Sequence, residues 1–137
     1  MYKEFEEYLF GYFTDGYWYD QGFSIAQEML LEFSSHDWEE LLNSAVTKPL
    51  EWQRKLAYCL DNECSMNELK VLLRMLDTDD KELFEICVDT LRSFTSPESK
   101  QLILENPSIM QRVSDLIPQV GVATRKILED FLSKVQS

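Results

Sequence analysis

The sequence has one histidine, few helix breakers and, across its first third, almost no base to balance its acids. The lone imidazole, His36, leaves little room for nucleophilic catalysis, because a serine or cysteine nucleophile needs a base within hydrogen-bond reach. It reads instead as a solvated residue at a helix start, beside Ser34 and Ser35. Only 4 Gly and 4 Pro interrupt 137 residues, too few for the turns of an all-β domain. The glycines, at positions 11, 16, 22 and 121, are scattered, so no phosphate-cradling loop is present. No apolar run approaches the ~20 residues of a membrane helix, and the opening Met1–Glu7 is acidic where a secretory signal would be basic. Cys59, Cys64 and Cys87 are odd in number, and the first two are spaced C-x4-C rather than as a zinc knuckle. They are expected as reduced, mostly buried thiols in a cytoplasmic protein. The run Asp77-Thr-Asp79-Asp80-Lys81 fails as a calcium loop, because Lys81 takes the fifth ligand position and no glycine holds the sixth. Paired carboxylates are plentiful, but nothing in the sequence builds a sugar cleft around them. We expect no catalytic residue, no metal site and no cofactor.

What is abundant is negative charge. There are 25 Asp and Glu against 13 Lys and Arg, a formal net charge of -12. From Glu4 to Thr47 every formal charge is negative: Glu4, Glu6, Glu7, Asp15, Asp20, Glu28, Glu32, Asp37, Glu39 and Glu40. A second acidic stretch, Asp77 to Asp89, is relieved only by Lys81. Such a field repels nucleic-acid phosphates and anionic lipid and attracts a basic protein; the alternative is a solvated acidic surface that only keeps the protein soluble. Glu82, Glu85 and Asp89 share a helix face by their spacing, where like charges cost a few tenths of a kcal/mol per pair.

Helix signals recur throughout, and no stretch alternates with period two. Ser24-Ile-Ala-Gln27 has capping-box spacing, and Ile25, Met29 and Phe33 recur at i, i+4 and i+8 as one stripe. Asp37 is placed to cap the next helix, with Trp38, Leu41, Leu42 and Ala45 on one stripe. Pro49 suits the first turn of a helix whose inner face is Trp52, Leu56, Cys59 and Leu60. Ser65-Met-Asn-Glu68 is a second capping box, ahead of Leu69, Leu72, Leu73 and Leu76. Ser96-Pro97 and Asn106-Pro107 each pair a cap with proline at the first helical position. The last helix runs from about Gly121 to Val135, with Ile127, Leu128, Phe131 and Val135 in register. The expected fold is all-α: a single domain of stacked antiparallel helix pairs over 1–137.

Residues 72–94, LLRMLDTDDKELFEICVDTLRSF, resemble one unit of the HEAT-like helical repeat. Leu72, Leu73, Met75 and Leu76 match its first helix, Asp80 its turn, and Leu83, Cys87 and Leu91 the inward positions of its second. Phe84 and Glu85 depart from it, standing where basic residues are frequent. WEELLNSAV and PLEWQRKLAYCL repeat the pattern upstream, with Leu60 and Leu91 lying 31 residues apart. Ile109 to Val135 forms a weaker third unit. The resemblance implies either an α-solenoid or a generic helical bundle; stacked pairs bury apolar faces that one pair cannot.

Residues 1–23 hold ten of the chain's 17 aromatics. Phe5, Leu9, Tyr12 and Phe13 fit a short amphipathic helix capping the stack. The two glycines of Thr14–Gly22 mark a loop, and its Tyr17-Trp18-Tyr19 run between Asp15 and Asp20 has the make-up of an interface anchor; alternatively, the rings fold back on the first helix pair. Residues 1–23 are therefore set apart as cap and loop from the stacked pairs of 24–137. The phrase YLFGYFTDGYWYDQGFS is similar to the opening of small bacterial immunity proteins of contact-dependent growth inhibition and related polymorphic toxin systems. Tyr12-Phe13, Asp15, Trp18 and Asp20 carry that match, and Thr14 stands where a histidine is expected. The resemblance implies a protein that binds a cognate toxin domain and blocks it.

The residues expected to bind a basic, nuclease-like toxin domain are Asp15, Tyr17, Trp18, Tyr19 and Asp20, then Glu39, Glu40, Asp79, Glu82, Glu85 and Asp89 on helical surfaces. The alternative function is a HEAT-like adaptor or scaffold subunit of a larger complex.

Overall fold

A computed structural model describes residues 1–137. It contains helices and no strand: α1 (Tyr2–Phe10), α2 (Asp15–Tyr17), α3 (Phe23–Leu31), α4 (Ser35–Ser44), α5 (Leu50–Cys59), α6 (Met66–Met75), α7 (Lys81–Leu91), α8 (Pro97–Leu104), α9 (Pro107–Leu116) and α10 (Val122–Gln136). The helices form two layers. In one, α1 packs on α4, α4 on α6 and α6 on α8; in the other, α3 packs on α5, α5 on α7 and α7 on α10. One continuous apolar core lies between the layers. No helix is long and apolar enough to cross a membrane.

The stack is phased by its caps. Ser34, Ser65 and Ser96 recur at a fixed step of 31 residues, and each side chain accepts the backbone N–H three residues on. Leu41, Leu72 and Ile103, at the same step, are all fully buried. Leu56 and Cys87 repeat this in the second layer, as do Ala57 and Val88. Ser96 thus opens the third unit, earlier than Ile109, and that unit holds three helices. In place of the missing basic residue at Phe84, Arg112 lies over the Phe84 ring at 4.1 Å.

Glu68 completes the second cap and does more. Its carboxylate accepts the backbone N–H groups of Ser65 at 2.8 Å, Asn62 at 3.0 Å and Glu63 at 3.3 Å. Burial raises its pKa, against the pull of those donors. The same turn carries Cys64 at φ 51, the left-handed region that a non-glycine residue adopts only where its surroundings fix it.

Several local expectations are corrected. Asp37 is not the cap of α4. Ser34 is, and Asp37 answers it from the third position by accepting the Ser34 N–H at 2.9 Å. Pro49 sits at the cap position of α5, one residue ahead of its first turn. Asn106 precedes Pro107 without capping; its amide donates back to the Leu102 carbonyl at 3.0 Å. Ser24-Gln27 caps nothing, because the chain is already helical there.

That last difference changes the N-terminal region most. Thr14 caps α2, which runs on through a π-turn, Trp18–Gly22, directly into α3. Asp15–Gly22 is therefore helical, with Thr14 as its cap, and not a loop. Gly22 serves close packing: a Cβ there would meet Cε3 of Trp18 at 2.8 Å, and the Gly22 carbonyl accepts the Tyr8 hydroxyl at 2.9 Å. Phe5 and Leu9 are buried as expected of the capping helix, whereas Tyr12 is 89 % exposed.

Candidate functional site: a self-paired groove and an unpaired acidic end

The expected anchors separate according to the side of the α2–α3 continuation on which they fall. Trp18 is only 5 % exposed and packs against Phe13 at 5.3 Å. It is a core residue and is withdrawn as an interface anchor. Tyr17 stacks on Phe13 yet stays partly open. Tyr19 is 50 % exposed and meets Tyr58 edge-on at 4.9 Å, and Tyr58 meets Phe23 at 5.4 Å. Asp15 and Asp20 are exposed.

A groove follows the second layer. One part, of about 580 Å³, lies among Phe23, Tyr58, Asp61, Asp89, Arg92 and Lys134. Another, of about 250 Å³, lies among Asp15, Tyr19, Glu51, Arg54, Glu82 and Ile86. The Tyr19–Tyr58 pair borders both. The structure therefore brings Asp15, Tyr19, Glu82 and Asp89 together, and adds Tyr58, Asp61 and Arg54, which sequence spacing could not place because they come from α5 and the turn after it.

This groove neutralises most of its own charge. Arg54 bonds Asp80 through Nη2 at 2.9 Å and reaches Glu82 at 3.3 Å. Arg92 pairs with Asp89 and, at 3.1 Å, with Asp130, which Lys134 also holds at 3.2 Å. The Arg54 guanidinium draws the Asp80 carboxyl below its usual range, and Lys134 and Arg92 do the same for Asp130. Asp15, Glu51 and Asp61 stand outside these pairs, and Asp61 is the most buried of the three. The Asp61 carboxylate accepts the Ser93 hydroxyl at 3.4 Å, and burial pushes its pKa up, with Asp89 adding to the effect. Glu85 does not share this face: it turns to α10 and accepts the Thr124 hydroxyl at 3.0 Å. Asp79 is exposed on the α6–α7 turn.

The other end of the molecule is unbalanced. Residues 1–47, which form α1 to α4, carry one lysine against ten acids, whereas the remainder carries 12 cations against 15 acids. One side-chain cation of the remainder pairs with an acid there, Lys48 with Glu6; Lys55 and Arg74 reach backbone carbonyls rather than acids, those of Leu9, Gly11 and Leu42. Met1 offers its amino group to Glu4 and Asp37, and His36 approaches Glu40 at 2.8 Å. Glu7, Asp20, Glu28, Glu32 and Glu39 are exposed and lie outside the set of ion pairs.

No three His, Cys, Asp or Glu side chains converge so as to hold a metal ion. Cys59 and Cys87 are buried thiols; burial raises both, that of Cys87 to about 12. No protein-family model, curated protein or solved structure matches the chain.

Proposed function

We propose that this chain is an immunity protein that binds a basic, nuclease-like toxin domain in the cytoplasm and neutralises it by direct contact. The observation that carries the proposal is the excess of acid on α1 to α4, ten acids against one lysine, beside a groove whose four cations nearly balance its five acids. A charge that no residue of the chain answers favours an external cation, and a field of one sign accelerates encounter with a partner of the other. A toxin that cleaves nucleic acid must itself hold phosphate, so its surface is basic. The similarity of YLFGYFTDGYWYDQGFS to immunity-protein openings supports the same partner. Tyr17 and Tyr19, exposed beside Asp15 and Asp20, add the aromatic contacts that slow dissociation.

The test is co-expression with the C-terminal domain of the polypeptide encoded immediately upstream. The proposal expects restored growth and stoichiometric co-purification. A second function, scaffold subunit of a larger assembly, is favoured by the regular 31-residue stacking. It predicts recovery in a large stable complex and no effect on toxicity.

A further inference from the structure

The free flank of α3 departs from what stability alone would select. α3 packs on α1 and α5 and has no element on its remaining side. There the helix exposes two large aliphatic side chains, Ile25 at 40 % and Leu31 at 57 %. Between them on the same arc stand Glu28 and Glu32, with no cation bound to either. The two acids are spaced i, i+4, the geometry in which like charges repel. Glu32 is also the residue that closes the helix, and no basic residue lies in its last turn, so an anion faces the negative end of the helix dipole. Sites where several local rules fail together are where a function is expected to be paid for in stability.

We infer that the α3 flank is a docking surface for a basic amphipathic segment of a partner protein. Apolar side chains of that segment would cover Ile25 and Leu31, and its Lys or Arg residues would pair with Glu28 and Glu32. Charge complementarity selects this occupant. A second copy of this chain would bring the same acids face to face, and nucleic acid or an anionic bilayer would meet the same repulsion. The flank is held ready: the π-turn that leads into α3 is locked by buried Trp18 and by the Tyr8 hydroxyl bond to Gly22. This inference rests on the partner being basic, as an immunity target would be.

The test uses the full chain and a short amphipathic helical peptide of leucine and lysine, titrated by calorimetry. Glu28→Lys with Glu32→Lys is compared with Glu105→Lys with Glu129→Lys, two exposed acids outside α1 to α4 and the groove, which changes net charge equally. The inference expects the α3 pair to weaken peptide binding by about tenfold or more and the control pair by less than about threefold. Ile25→Ser with Leu31→Ser should weaken it while leaving the salt dependence unchanged, since no charge is altered. Equal losses from the two charge-reversed pairs would overturn the docking surface. In the growth assay, an α3 variant that still neutralises the toxin would overturn it too, with immunity intact. Wild-type protein that binds the peptide on α3 but rescues no toxin would overturn immunity alone.

Discussion

Reversing Glu32 to Lys should stabilise the free protein while weakening its grip on a basic partner. The substitution removes the Glu28–Glu32 repulsion and replaces it with an acid followed four residues later by a base, the favourable orientation, a swing of about 0.5 kcal/mol. It also puts a cation where α3 ends, worth about another 0.5 kcal/mol at an exposed helix terminus. A partial offset comes from α4, whose Ser34 cap follows two residues later. That loss is small because Asp37 already supplies an anion inside the first turn of α4. The net gain is about 0.5–1 kcal/mol, or a rise of about 2–4 °C in Tm for a chain of this size. Lowering a net charge of -12 stabilises the fold regardless of position, so the comparison is with Glu39→Lys. Glu39 has Ser35 and Asn43, not acids, four residues to either side. Thermal or urea unfolding at low salt reads the difference, and added salt should shrink it. If Glu32→Lys is no more stable than Glu39→Lys, or if its advantage survives high salt, the account of a helix carrying misplaced charge is refuted.

Three further expectations concern the frame that holds the surface. Gly22→Ala should cost about 1–3 kcal/mol by urea denaturation, because the new methyl drives into the buried Trp18 ring; an unchanged midpoint would mean that the π-turn relaxes freely. Glu68→Ala strips the acceptor from three backbone amides around Asn62–Ser65 and should destabilise by about 2–3 kcal/mol, with faster amide exchange confined to that turn; global exchange at unchanged stability would contradict it. Among the thiols, only half-exposed Cys64 should react with a disulfide reagent in the native state, slowly because burial and Glu68 raise its pKa. All three should react once the protein unfolds.

The sequence displayed the helices more fully than the surface they build. Capping boxes such as Ser65–Glu68 are local, and so is the Ser96-Pro97 start, so both were legible directly. The core stripes at Leu56, Leu72 and Phe131 were too, since helical period alone exposes them. Thr14–Gly22 misled because glycine is a loop signal by default, whereas Gly22 is there to let Trp18 approach. Ser24-Gln27 misled for a related reason: its spacing is that of a cap, but the upstream turn had already supplied helix. Charge was legible as a total and along the chain. Its pairing was not, because Arg54 meets Asp80 and Arg92 meets Asp130 only once the helices are stacked. The assignment of Trp18 as an anchor failed on the same ground, since which ring of three turns inward depends on what packs beneath. The α3 flank is not legible in the sequence, because Ile25 and Met29 suit one buried stripe by spacing and only the fold shows that Ile25 lies outside it.

The central claim is that the excess of acid on α1 to α4 recruits a basic protein partner. Its most direct test is the association rate between this chain and the C-terminal domain of the polypeptide encoded immediately upstream, followed by stopped flow across a salt series. The account predicts fast association that falls steeply with salt, and a slower, shallower response when Glu28 and Glu32 are reversed. Association that ignores both salt and those substitutions would contradict it.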